Sequence, residues 1–158
     1  MIIDQRAIDA HNQLNRKADD VEPALQALFA SYLGKKVWKI SGYGGLTAAV
    51  KKEVEWLANA HGLTHENGYR LVINSEVAWI RAQLQLRYNV ESGGVNYIDC
   101  GFHAGKRDDQ GVLIERGELC YPAGRPQFTL DQVQATKNRA YELEQQARDL
   151  RSSVSCFR

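Results

Sequence analysis

Cysteine is scarce in this chain: Cys100, Cys120 and Cys156 are the three among 158 residues. An odd number without tight spacing excludes a disulfide scaffold and fits a reducing, cytoplasmic setting. Proline is equally rare, and no Pro-, Gly- or Ser-rich stretch reads as an interdomain linker. No apolar run approaches the roughly 20 residues that span a bilayer. The N-terminal residues lack the basic start and long apolar stretch of a secretion signal. An excess of one charge is also lacking. The formal net charge is +1, and the halves on either side of Trp79 are each close to neutral. Proteins that live on bulk phosphate attraction are usually lopsided, so duplex binding is not expected.

What is present is ordinary globular material. Apolar residues make up 44% of the chain, enough at this length for one hydrophobic core. Residues 1–158 read as a single domain, with residues 154–158 a short tail.

Helical spacing dominates the first part. Ile3, Ala7, Ala10 and Leu14 recur at four, three and four residues, a narrow packing stripe over about Ile3 to Lys17. Asp19 or Asp20 can cap a second helix, with Pro23 in its first turn and Gly34 as its left-handed stop. A short strand follows from Lys36 to Ser41. Gly42, Gly44 and Gly45 then lead into a third helix from Thr47 to His61, stopped by Gly62.

From Tyr69 to Cys120 the period becomes two. In Val77 to Val90, Ile80, Ala82, Leu84 and Leu86 point one way, and Trp79, Arg81, Gln83, Gln85 and Arg87 the other. Val95 to Ala104 places Cys100 and Phe102 on its apolar side. Ser92-Gly93-Gly94 between them suits a three-residue hairpin loop. That loop pairs Glu91 with Val95, which sets Arg87 opposite Asp99 and Gln83 opposite His103. A strand carrying Val112 and Ile114 comes next. Thr129 and Gln132 then form a capping box that starts a last helix, with Phe128 placed to staple onto Val133. Val133, Thr136, Ala140, Leu143, Ala147, Leu150 and Val154 keep a seven-residue repeat along it. The two terminal helices, each with a narrow stripe, are expected to pack on each other; a homodimer arm is the alternative.

The fold class is therefore α+β, in the order α-α-β-α-β-β-β-β-α. Its antiparallel sheet has four to five strands and helices on one face. This order resembles the cone-shaped fold of the nuclear-transport-factor-2-like and cystatin-like families. The resemblance is one of element order, with a strand fewer before the third helix and an extra helix at the end. It brings no functional residue with it.

Candidate chemistry is sparse. The glycines at 42, 44 and 45, with Lys51 in the following helix, could hold an anion; a tight turn that needs glycine is the preferred reading. His61, His65, Cys100 and His103 do not converge, because Gly62 separates the first two and opposite strand faces separate the others. Asp99 and His103 share a face but stand roughly 13 Å apart along the strand, so they form no catalytic dyad. No catalytic, metal or cofactor residue is assigned. One polar sheet face stands out: Trp79, Arg81, Gln83, Gln85, Arg87, Tyr97, Asp99 and His103. Aromatics with arginines are favoured at protein interfaces. The expectation is a small non-enzymatic binding or regulatory protein that uses this face on a protein partner. A phage- or plasmid-type inhibitor of a host enzyme would fit. A pocket enzyme or ligand binder using Trp79, Arg81, Asp99 and His103 is one alternative, and single-stranded nucleic-acid binding is another.

Overall fold

A computed structural model describes residues 4–63, 69–89 and 95–157. Its elements are α1 (Gln5–Ala30), β1 (Trp38–Lys39), β2 (Gly45–Leu46), α2 (Ala48–Ala60), β3 (Tyr69–Glu76), β4 (Trp79–Asn89), β5 (Val95–Arg107), β6 (Leu113–Arg116) and α3 (Leu130–Ser153). Strands β3-β4-β5-β6 form an antiparallel meander in chain order, and β1 pairs with β2 as a separate two-stranded ribbon. The fold is the expected α+β class.

The first correction concerns the N-terminal helices. One helix of 26 residues replaces the expected two. Asp4, not Asp19 or Asp20, caps it, accepting from the Ala7 backbone N–H at 3.0 Å. Pro23 sits inside the helix, where it removes a backbone donor and costs about 3 kcal/mol. Burial decides the outcome. Val21, Leu25 and Phe29 are sealed in the core, and each contributes roughly 1.5–3 kcal/mol. Breaking the helix at residue 19 would misalign all three.

Helix α1 lies on β4 and β5. Its Leu14, Ala18, Val21, Leu25 and Phe29 pack in one cluster with Ile80, Ala82, Leu84, Phe102, Ala104 and Leu113. Helix α2 adds Val50, Val54 and Ala58, and starts and stops where the sequence places it, at Thr47 and Gly62. Tyr32 just beyond α1 donates a short hydrogen bond to Glu53 of α2.

The β4–β5 register is the second correction. The structure pairs Leu84 with Cys100, Arg87 with Tyr97, Gln85 with Asp99 and Arg81 with His103. Arg87 therefore does not face Asp99, and Gln83 faces Gly101 rather than His103. The pairing is two residues away from the expected one, with Asn89 opposite Val95. The Ser92-Gly93-Gly94 loop lies outside the described residues. A shift of two keeps every side chain on its face, so alternation alone cannot detect it.

One smaller correction follows, with the phase of β6 beside it. Val77 and Ala78 form the tight turn between β3 and β4 instead of beginning β4. On β6 the inward residue is Leu113, while Ile114 faces out. The Asp108 side chain sets that phase by accepting from the Gln110 and Val112 backbone N–H groups, both at 2.9 Å. At the turn between β5 and β6, Gly111 has φ +81°, and a Cβ there would lie 2.0 Å from the Trp38 carbonyl oxygen. Only glycine lets the 111–113 segment pair with residues 34–38.

The expected packing of the first helix on the last is not formed. Helix α3 buries no residue. What α1 holds is the segment before it. Asn12 brackets the Phe128 backbone, accepting from its N–H at 2.9 Å and donating to its carbonyl at 2.7 Å. Asn15 donates to the Pro126 carbonyl at 3.0 Å, and His11 packs against the Phe128 ring. Phe128 is thereby engaged with α1 at the point where the sequence suggests a staple to Val133. The capping box of Thr129 and Gln132 is formed in full.

Candidate functional site

Strand alternation carries Trp79, Arg81 and Gln83 to the sheet face opposite α1, because Ile80, Ala82 and Leu84 are taken by the core. On β5, His103 reaches the same face between buried Phe102 and Ala104. A register shift beside Ile80 and Arg81 turns the strand locally. It brings the His103 ring edge-on to Trp79, with centroids 6.1 Å apart and planes at 71°. That arrangement suits the aromatic quadrupoles. Arg81 pairs with Glu76 at 2.8 Å across the β3–β4 hairpin.

These residues floor a groove of about 540 Å³, lined also by Val77 and by residues 115–118. The far wall is the end of β6 and the turn after it. There the chain crosses β5 closely: His103 N–H donates to the Glu118 carbonyl at 3.1 Å, and Leu119 bridges to Phe102. The Gln26 side chain of α1 donates to the Gly117 carbonyl at 2.6 Å and fixes the wall from the other side.

The groove is open and charged. Trp79 keeps 36% of its surface exposed and the Arg81 side chain 44%. Glu76, Glu115 and Glu118 face Arg81 and Arg116 around it. With Glu76 engaged by Arg81, the lining holds two further carboxylates and one guanidinium, a small excess of negative charge. The Nδ1 atom of His103 is buried and has no hydrogen-bond partner.

The groove lip is strained. Val77 has φ 55°, a left-handed conformation that a β-branched residue rarely takes. Its side chain is 93% exposed, so no packing explains it. Arg107 holds the turn by donating to the Val77 carbonyl at 3.0 Å and to the Ser75 hydroxyl at 2.9 Å. Strain of this kind costs about 1–3 kcal/mol and clusters at functional sites.

Of the residues expected on this face, the structure brings Trp79, Arg81 and His103 into the groove. Gln83 and Gln85 are half-buried further along β4. Arg87, Tyr97 and Asp99 continue the same two strands, with side chains outside the described set. Sequence reasoning missed Glu76, Val77 and the wall at residues 115–118. Only the glycine at 117 hinted at a close backbone approach.

The glycine-rich segment is a turn. Gly42 and Gly44 have φ of +69° and +75°, and Gly45 pairs with Lys39 in the β1–β2 ribbon. A Cβ on Gly44 would sit 2.8 Å from the Trp38 indole nitrogen. Nothing there beyond the bare start of α2 marks an anion site, and Lys51 is simply exposed on that helix. His61 caps the end of α2, and His65 lies outside the described residues. Among the described residues no three metal-ligating side chains converge, Cys120 and Cys156 are free and exposed, and no helix is long and apolar enough to cross a membrane.

Compared with models of protein families, with curated proteins and with solved structures, the chain matches none.

Proposed function

We propose that this chain is a small binding or regulatory protein whose sheet groove takes a basic side chain of a protein partner, in the manner of an inhibitor. The observation that carries the reading is the half-exposed Trp79 ring, braced by His103 and set beside Glu115 and Glu118. A guanidinium or ammonium over an indole face is worth about 0.5–2 kcal/mol, and carboxylates at the rim add charge-assisted hydrogen bonds. A phosphate backbone would meet the same carboxylates as repulsion, which disfavours the nucleic-acid alternative.

The test uses a Trp56→Phe background, because Trp56 is 70% exposed and would mask the signal of Trp79, whereas Trp38 is buried away from added ligand and gives a constant background. An arginine-containing peptide is expected to change the Trp79 fluorescence at low salt, and an oligonucleotide is not. In affinity capture from the native host, Trp79→Ala combined with Glu118→Gln should weaken retention of the partner at least tenfold, the scale of an interface hot spot. Undiminished retention by a folded double variant would remove the groove from the partner contact.

Val77 supplies an independent check. Val77→Gly should stabilise the fold by about 1 kcal/mol, since glycine takes the left-handed conformation without strain. It should also weaken partner capture, because the apolar lip is gone. A variant that is more stable and binds equally well would show that the strain is unrelated to the groove.

A further inference from the structure

Helix α3 presents a seven-residue apolar repeat that nothing among the described residues buries. Leu143, Leu150 and Val154 are 47%, 69% and 55% exposed, and Phe157 beyond the helix is 81% exposed. An apolar stripe of this width is the seam of a two-helix coiled coil, with residues of the a and d type meeting residues of the facing helix. Thr136, the polar member of the stripe, donates its hydroxyl to the Gln132 carbonyl at 2.8 Å, so its polar group is satisfied within the helix.

We infer that α3 pairs with α3 of a second copy of this chain, antiparallel, about a two-fold axis passing between Tyr141 and Glu142. Two features of the helix select that partner and that register.

The first is size. In this register Val133 meets the partner's Leu150, Ala140 the partner's Leu143, and Thr136 the partner's Ala147. Each leucine faces a smaller side chain and no alanine faces an alanine, so the thinnest layers are the two of Thr136 with Ala147. A parallel pair would stack Ala140 on the partner's Ala140 and Ala147 on the partner's Ala147, leaving two thin layers.

The second is charge. Lys137 flanks the seam opposite the partner's Glu144, and symmetry repeats the pair. Arg139 meets the partner's Gln146, and no like charges oppose. Sliding one heptad in one direction sets Glu144 on the partner's Glu144 and Lys137 on the partner's Arg151. Sliding in the other sets Lys137 on the partner's Lys137 and Arg139 on the partner's Arg139. The alignment free of repulsion is also the one that overlaps all of Leu130–Ser153, because its axis bisects that range. A helix evolved for an unrelated partner has no reason to be self-complementary about its own midpoint.

The same alignment brings the partner's Val154 to the level of Thr129 and the partner's Phe157 to that of Pro126. The exposed apolar tail would then cover the segment that α1 straps down. None of this depends on the groove, and the two readings fail separately.

Sedimentation velocity on the full chain tests the association. Twice the chain mass of 17.8 kDa is expected across concentrations up to the sub-millimolar range. Leu143→Glu with Leu150→Glu should weaken association roughly a hundredfold or more and leave the thermal midpoint of the monomer unchanged, since both side chains are exposed in the single chain. Lys137→Glu should also weaken it, and adding Glu144→Lys should restore it. Orientation is read by mixing Val133→Cys and Leu150→Cys chains bearing tags of different size, in a background with Cys100→Ala, Cys120→Ser and Cys156→Ser. A disulfide between unlike chains is expected. A monomer throughout, or a dimer that survives Leu143→Glu with Leu150→Glu, overturns the association through α3. Disulfides formed only between like chains overturn the antiparallel register.

Discussion

Replacing Arg125 by alanine should destabilise the fold by about 3–5 kcal/mol, a large fraction of the stability of a domain this size. The Arg125 side chain is 3% exposed and Glu22 on α1 is 2% exposed, so this ion pair has almost no contact with water. Arg125 Nη2 donates to Glu22 Oε1 at 2.5 Å and Nη1 donates to Asp19 Oδ1 at 3.1 Å. The Arg125 backbone N–H donates to the same Asp19 carboxylate at 2.9 and 3.0 Å. The guanidinium also lies over the Tyr121 ring, 4.6 Å from its centroid. Alanine would strand the Glu22 carboxylate in the interior with its principal cation gone. The penalty is that of a buried charge without a partner, far above the worth of an exposed ion pair. Arg125→Lys should recover little, because an ammonium can neither serve both carboxylates in the same fork geometry nor stack as a plane on Tyr121. Arg125→Met with Glu22→Leu should recover most of the loss, since buried pairs are often replaceable by apolar residues of similar size. Urea unfolding of the four proteins is the measurement. A loss below about 1 kcal/mol for Arg125→Ala would mean that Glu22 reaches water, and that the pair contributes no more than a surface one.

The same cluster explains why the first helix was misread from sequence. Asp19 before Pro23 has the local form of a helix start. The carboxylate instead serves a backbone N–H and a guanidinium 106 residues away. Local signals compete with a tertiary contact that leaves no trace in spacing. Where the deciding interactions are local, the sequence was enough. The Thr129–Gln132 capping box and the left-handed Gly62 mark helix ends as expected, because capping and left-handed stops are settled within a turn of the helix end. Alternation placed Trp79 and Arg81 on the correct face of β4, since the core fixes parity. It could not fix the pairing of β4 with β5, which differs by a step that parity does not see. The turn at Val77 was invisible for a different reason: valine carries no turn signal, and the strained conformation is held by Arg107 from β5. Half of the groove was therefore legible. The other half, residues 115–118, depends on where the chain crosses after β6, and only the folded arrangement reveals it.

That crossing yields the second large effect. Gly117 lies so close to β5 that a Cβ would stand 1.6 Å from the His103 carbonyl oxygen and 2.3 Å from its carbon. Both neighbours are backbone, so no side chain can swing aside. Gly117→Ala must push the wall outward, breaking the His103 N–H to Glu118 carbonyl bond and the Gln26 contact together. Overpacking of this kind costs about 1–3 kcal/mol before the lost hydrogen bonds, which add roughly 1 kcal/mol each. A fall in thermal midpoint of about 6–20 °C is expected, on the scale of 2–4 °C per kcal/mol for a chain of this length. Gly42→Ala separates this from a general intolerance of glycine replacement. Unlike Gly117, Gly42 has positive φ, but a Cβ there meets nothing within 4 Å. Its cost should be confined to backbone strain of about 1 kcal/mol, with partner capture intact. Gly117→Ala should lose partner capture as well, even at temperatures where the variant is fully folded, because Glu118 and Glu115 move with the wall away from Trp79. If Gly117→Ala melts with the parent protein, the chain crosses β5 less closely than 117–119 now stand, and the groove has no far wall. If it is destabilised but still captures the partner, the binding contact lies on the Trp79 side alone and the carboxylates of residues 115–118 take no part in it.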